Sequence, residues 1–272
     1  MGRVTRDGAT ATALVRASHP EPGAAVTVLA VLLAITWGAD ARTCVLVGVA
    51  AGAGQLTVGW CNDLVDRHRD RRSGRLDKPL ATGELRPTTV RAATGAALVV
   101  TVLASLSLGV RPGLLHLALV GTGWAYDLGV KRTVLSWLPY AICFGTLPVV
   151  VSLVARGVPG PAWPVVAGAL LGTGAHLVNA APDVEDDLRT GVRGLPQRLG
   201  AGRSIDLATV LLVGGTVVAA VVPSGGPDPV AVVVLLVAAG LLVAGRLAGE
   251  RGPFRAALAI ALLDVVVLLL RS

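Results

Sequence analysis

Residues 43–70 read TCVLVGVAAGAGQLTVGWCNDLVDRHRD, an apolar run that ends abruptly in Asn62, Asp63, Asp66 and Asp70. A helix needs roughly 20 apolar residues to cross about 30 Å of hydrocarbon, and the first part of this stretch supplies them. The remainder is a pattern that lipid does not tolerate without a reason, because ionisable side chains are expensive in a bilayer. If the helix continues through it, Asn62, Asp66 and Asp70 recur every four residues and share one face, with Asp63 beside them.

Outward from this stretch the same kind of apolar run recurs, near 23–39, 43–62, 88–109, 112–129, 134–155, 163–182, 205–222, 228–246 and 253–270. The connecting segments are short and rich in Arg, Pro, Gly and Asp. Hydrophobic residues make up 53% of the chain and charged residues 15%, with a mean hydropathy of +0.71. An ordinary soluble domain is far less apolar. Nine such helices in succession would leave too little polar surface for a water-soluble particle. The expected fold is therefore all-α, one multispanning membrane bundle of about nine helices over residues 1–272. Residues 1–20 are expected to form a partly amphipathic cytoplasmic lead-in resting on the membrane surface. A cleaved signal is the weaker reading of Arg3, Arg6 and Arg16 before the first run, since that run is long enough to span and more follow.

The formal charge of +7 does not point to nucleic acid, because the basic residues sort by side of the membrane. With the N-terminus inside, only Arg42, Arg111, Arg156 and Arg271 of the 24 Lys and Arg residues lie in external segments. The positive-inside rule then places the N-terminus in the cytoplasm and the C-terminus outside. Cys44, Cys61 and Cys143 lie in or at the ends of apolar runs without a Cys-x-x-Cys pair, so they read as small core residues and imply neither disulfides nor zinc. Trp37, Trp60, Trp124, Trp137 and Trp163 fall near span ends and read mostly as interfacial anchors.

A second acidic cluster, Asp183-Val184-Glu185-Asp186-Asp187, closes the sixth span. Asp183 and Asp187 repeat the four-residue spacing, with Asn179 one turn earlier. Both clusters meet the cytoplasmic face at a helix C-terminus, which already carries partial negative charge. Carboxylates gathered there repel one another unless a cation intervenes, and oxygen ligands with an Asn carbonyl suit a hard divalent ion such as magnesium. The adjoining loops add Arg67, Arg69, Arg71, Arg72, Arg75 and Lys78, then Lys131 and Arg132, then Arg189 and Arg193. Lys78 and Lys131 are the only lysines in the chain. A polyanion is the natural common partner. Solvated loops that set topology would explain the basic residues alone, but Asp contributes little to topology.

The order of these motifs resembles the UbiA-type membrane prenyltransferases. Residues 62–70 fit N-D-x-x-D-x-x-x-D, and Asp183-x-x-x-Asp187-x-x-x-Gly191 is similar to that family's second aspartate motif. Between them, Tyr126-Asp127 followed by Lys131-Arg132 resembles the family's Y-D-x-x-x-K-R segment. Asp77-Lys78-Pro79-Leu80-Ala81-Thr82-Gly83 resembles the stretch after the first motif, with Lys78 where Arg is usual, and Leu195-Pro196 with Leu199-Gly200 resembles the tail of the second. The resemblance covers residues 14 to 200; the last three spans match only as apolar helices. It implies nine helices around a central cavity capped by both aspartate motifs. It implies Asn62, Asp66, Asp70, Asp183 and Asp187 as magnesium ligands, Asp63 as a ligand or its support, and Arg67, Lys78, Tyr126, Lys131 and Arg132 as diphosphate or loop-ordering contacts. Asn179 is grouped with the substrate-binding residues. A lysine at position 78 would contact phosphate as a point charge rather than a bidentate fork.

The expected reaction is transfer of a prenyl group from a magnesium-bound prenyl diphosphate to an acceptor that the sequence does not identify. Metal and cations neutralise the leaving group, and an apolar cavity keeps water from quenching the allylic cation. Gln55 and His176 lie seven residues before Asn62 and Asp183, two turns deeper on the same faces, and are candidates for acceptor recognition. Asp264 is a further intramembrane candidate, with pairing to Arg246 as its structural alternative. His116 and His176 can equally be helix-helix hydrogen-bonding residues. A membrane terpene cyclase is the first competing function, disfavoured because an aromatic cage for moving cations would have to come from Phe144, Phe254, Tyr126, Tyr140 and the Trp residues. An ion-coupled transporter or lipid-binding protein is the second.

Overall fold

The computed structural model describes residues 2–249 and 251–271, with side chains from Thr10 onward. Among the described residues the chain is helical and contains no strand. The elements are α1 (Gly2–Ala17), α2 (Pro20–Thr36), α3 (Ala41–Arg72), α4 (Pro79–Thr82), α5 (Pro87–Ser107), α6 (Val110–Leu128), α7 (Leu138–Arg156), α8 (Trp163–Ala180), α9 (Val184–Arg189), α10 (Leu195–Leu199), α11 (Ala201–Val221), α12 (Pro229–Leu247) and α13 (Gly252–Arg271). Short 3-10 turns at Val130–Arg132 and Ala181–Asp183 connect α6 to α7 and α8 to α9.

Each expected span appears as a long helix, but fewer than nine have the length and apolarity to cross a membrane alone. Seven do so: α3, α5, α7, α8 with its α9 extension, α11, α12 and α13. An eighth arises if the bent pair Thr10–Ala17 and Pro20–Thr36 is one broken span. The remaining helix, α6, falls short because Arg111, His116 and Asp127 dilute its 19 residues.

Local signals explain most boundaries. Asp40 caps α3, its carboxylate accepting from the Thr43 N–H at 2.7 Å, and Asp228 caps α12 in the same way through Ala231; each bond satisfies one of the free donors of a helix start. Proline opens α2, α4, α5 and α12, where its missing N–H is not needed. The α3 helix is the main departure from expectation. It runs 32 residues without a break, about 48 Å at 1.5 Å per residue, so its last turns project beyond a hydrocarbon core and present the first acidic cluster.

Sequence neighbours pack as antiparallel pairs, and α13 returns to α2 and α8 to close the bundle. One core joins Leu33, Val47, Val151 and Val267, and a second joins Leu177, Leu212 and Ile260. Helices α7 and α8 approach closely. A β-carbon at Gly172 would lie 2.6 Å from the Tyr140 carbonyl oxygen, and one at Gly168 would overlap that of Phe144. Small residues four apart allow such contact between helices in lipid, where no hydrophobic force drives them together. Val233, Leu236 and Val243 of α12 face outward, as expected of a surface solvated by lipid.

The N-terminal segment docks against the bundle. Ala13 and Ala17 are fully buried, the Trp60 indole donates to the Leu14 carbonyl at 2.9 Å, and Arg16 pairs with Glu84. The chain then turns through His19, which adopts a positive φ of 54°, and passes so close to α3 that a side chain at Gly59 would collide with the Ser18 carbonyl. Trp60 and Trp124 are therefore tied to protein partners rather than to headgroups; the Trp124 indole donates to Thr57 Oγ1 at 3.2 Å.

Candidate active site

The end of the bundle where α3, α6 and α8 finish collects both acidic clusters. On the last turns of α3, Asp63, Asp66 and Asp70 are buried. Each faces a cation. The Asp63 carboxylate accepts from Lys78 Nζ at 2.7 Å and lies 2.9 Å from His19 Nε2. The Asp66 carboxylate accepts from Lys131 Nζ at 2.6 Å and from Arg69 at 3.0 Å. Asn62 donates its amide to Asp127 at 2.8 Å, which leaves the Asn62 carbonyl oxygen free to act as a ligand. The loop before Lys78 is held by a two-pronged pair between Arg75 and Asp77, at 2.9 and 2.8 Å. Those hydrogen bonds draw the Asp77 carboxyl down to about 2.

The second cluster approaches through Asp187. Arg69 connects the two motifs: its guanidinium lies 3.0 Å from Asp66, 3.6 Å from Asp70 and 3.9 Å from Asp187. The other Asp187 oxygen accepts from Gln197 Nε2 at 2.7 Å. Gln197 follows Leu195-Pro196, and this tail is anchored where the Leu195 N–H donates to Ser136 Oγ at 2.9 Å. Pro182 lies in the 3-10 turn between α8 and α9, which breaks the helix between Asn179 and Asp187. Their spacing is consequently not that of one helical face. Asn179 and Asp183 are exposed.

Beneath the carboxylates lie three rings. His176 stacks on Tyr140 with centroids 4.6 Å apart and meets Tyr126 edge-on at 5.8 Å, while the two tyrosines meet edge-on at 5.3 Å. His176 Nε2 lies 3.1 Å from Ser136 Oγ. Gln55 packs against Gly23 of α2.

The first motif, Lys78, Lys131 and Asp187 thus converge as a group, with Tyr126 and His176 below them. Arg132 is exposed. Arg67 is not part of the group. Its guanidinium donates to the Leu64 carbonyl at 3.3 Å and to His68 at 3.2 Å, because a residue one position from Asp66 points about 100° away around the helix. Asp264 does not pair with Arg246; Thr216 donates to it. His116 lies 2.8 Å from Ser105 Oγ, a contact between α5 and α6. Sequence reasoning named Arg69 only among the cations beside the first cluster, and it missed Asp127, His19, Gln197 and Ser136 as partners of the clusters. The four-residue rule carried a signal for Asp127, which precedes Lys131 by four and comes within 3.9 Å of it.

The donor set fits a hard cation. Asp63 Oδ2, Asp66 Oδ1 and Asp127 Oδ2 are buried without a hydrogen-bond partner, and an ionised carboxylate oxygen can be satisfied only by a donor or a cation. Among the described residues no three His, Cys, Asp or Glu side chains converge closely enough to grip a metal by themselves. On Asp63 and Asp66 a lysine or arginine instead contacts one carboxylate oxygen and leaves the other without a partner.

Solved structures with the same fold include a UbiA homolog from Archaeoglobus fulgidus bound to GPP and Mg2+, 19% identical with a TM-score of 0.70 over 95% of this chain and 99% of that one. The apo form of a UbiA homolog from Aeropyrum pernix K1 is 16% identical, with a TM-score of 0.70 over 96% and 98%. A structure concerned with digeranylgeranylglyceryl phosphate synthase in membranes is 15% identical, with a TM-score of 0.66 over 96% and 98%. No curated protein sequence matches the chain. The sequence pattern of the UbiA prenyltransferase family matches residues 24–263, nearly the whole bundle and both acidic clusters, and the chain belongs to that family.

Proposed function

We propose that the protein transfers a prenyl group from a magnesium-bound prenyl diphosphate to an acceptor held within the membrane bundle. The observation that carries this reading is Arg69, which lies against Asp66, Asp70 and Asp187 at once and so marks the two motifs as one site. The family membership and the shared fold of a homolog bound to GPP and Mg2+ support it.

When bound, magnesium supplies charge neutralisation for the diphosphate leaving group. Asn62, Asp63, Asp66, Asp70, Asp183 and Asp187 would hold it, since magnesium prefers a few carboxylates together with substrate phosphate. Lys78, Lys131 and Arg69 rest on the same carboxylates and are the cations nearest to an arriving polyanion, so they exchange carboxylate for phosphate. The allylic carbon–oxygen bond breaks with its electron pair leaving on the diphosphate, and a nucleophilic atom of the acceptor bonds to that carbon and gives up a proton. The apolar interior excludes competing water. Tyr126, Tyr140 and His176 lie on the path from the carboxylates into the bundle, and His176 and Gln55 are the polar groups assigned to the acceptor. The carboxylate end faces the cytoplasm, where most of the basic loops belong.

Membranes containing the protein, incubated with magnesium, a labelled prenyl diphosphate and a panel of phenols, quinone precursors and glycerol phosphates, are expected to yield a labelled prenylated acceptor by mass spectrometry. Cyclic hydrocarbon or alcohol formed without any acceptor would replace transfer by cyclisation. Absence of any product would leave only binding or transport.

A further inference from the structure

We infer that the groove between α3, α5 and α6 is a binding site for an anionic phospholipid, its phosphate held by Arg67 and Arg91 and an acyl chain laid along Gly95, Leu98 and Trp124. The groove is open to the surface and holds about 540 Å³, within the usual range for small-molecule sites. It is separate from the carboxylate site. Cys61, Leu64, Val65 and His68 line it from α3, and their spacing of three and four residues places them on a face about 120° around the helix from that of Asn62, Asp66 and Arg69. Arg91, Thr94, Gly95 and Leu98 line it from α5 with the same spacing.

Two observations identify the occupant. Arg67 and Arg91 face one cavity whose lining contains no carboxylate, and among the described residues no acidic side chain pairs with either. Like charges beside a low-dielectric wall repel unless an anion intervenes. Below them the walls are apolar, and this surface belongs to helices whose outward side chains, such as Val99 and Leu103, are exposed in a chain solvated by lipid. An anionic headgroup above an aliphatic tail matches both halves of the groove, and basic pockets between membrane helices bind such headgroups.

Native mass spectrometry of the full-length protein, released from detergent with equimolar phosphatidylglycerol and phosphatidylcholine of identical acyl chains, tests the assignment. The wild type is expected to retain one phosphatidylglycerol in preference to phosphatidylcholine. Arg67→Gln and Arg91→Gln are each expected to reduce that preference about fivefold. Gly95→Leu keeps both arginines but fills the groove; a β-carbon at Gly95 meets nothing within 4 Å and Leu is the better helix former, so folding is retained while the bound lipid is lost. Equal retention of the two lipids by the wild type would mean ordinary annular lipid and overturn the site. An unchanged preference in both arginine variants, or full retention in Gly95→Leu, would overturn it as well.

Discussion

Arg67 and Arg69 stand two residues apart on the same helix, yet only Arg69 reaches Asp66, Asp70 and Asp187. Arg69→Ala is accordingly expected to lower magnesium-dependent consumption of a prenyl diphosphate at least tenfold, on the order of the loss when a charge-assisted contact is removed, and more than Arg67→Ala does. Steady-state assays of both variants check the order. Gln197 acts through Asp187, which it holds at 2.7 Å. Removing a residue that orients a metal ligand costs about 10–100-fold in metal affinity, so Gln197→Ala is expected to move the magnesium requirement upward by that factor while saturating magnesium restores turnover. A loss that excess magnesium does not repair would place Gln197 elsewhere in the mechanism. The carboxylates were legible in the sequence because helical spacing alone puts Asn62, Asp66 and Asp70 on one face. Their partners were not. Which of several nearby cations reaches Asp63 or Asp66 depends on where the Lys78 and Lys131 loops fold back, and no local rule links residue 19 to residue 63.

Helices were legible from apolar length, and their ends only where a breaker intervenes. The α3 helix continues ten residues past the expected span end because nothing between Asn62 and Arg72 interrupts it. Pro182 does the reverse and turns α8 into a 3-10 step before α9. Docking of α1 on Trp60 escaped notice, since a short segment with mixed polarity reads equally as a surface helix. Close packing of α7 on α8 depends on the absence of side chains, a signal visible as Gly168-x-x-x-Gly172 but assignable to a partner only in the structure. Gly172→Leu is expected to destabilise the bundle by about 1–3 kcal/mol, as overpacking does. Gly121→Leu, where a β-carbon meets nothing within 4 Å, is expected to leave stability close to that of the wild type. Thermal unfolding in detergent compares the two; equal melting temperatures would contradict the packing.

At the scale of the molecule, the antiparallel order places the start of α2 and the end of α13 at opposite ends, where Arg271 pairs with Asp228 at the start of α12 at 2.6 and 2.7 Å. Together with the basic loops this predicts that a reporter joined after residue 272 reads as external and one inserted near Gly74 as cytoplasmic. A cytoplasmic C-terminus would remove one crossing, with α6 the first candidate since it does not have the apolarity to cross alone. The central claim is that both acidic clusters form a single site for a magnesium-bound prenyl diphosphate. Its most direct test is the binding of a labelled prenyl diphosphate, with and without magnesium, to the wild type, Asp66→Ala, Asp187→Ala and the double variant. Binding is expected to require magnesium, to be abolished in each single variant and to fall little further in the double, because residues that act as a unit are not additive; retained binding in either single variant, or losses that sum independently, would contradict a shared site.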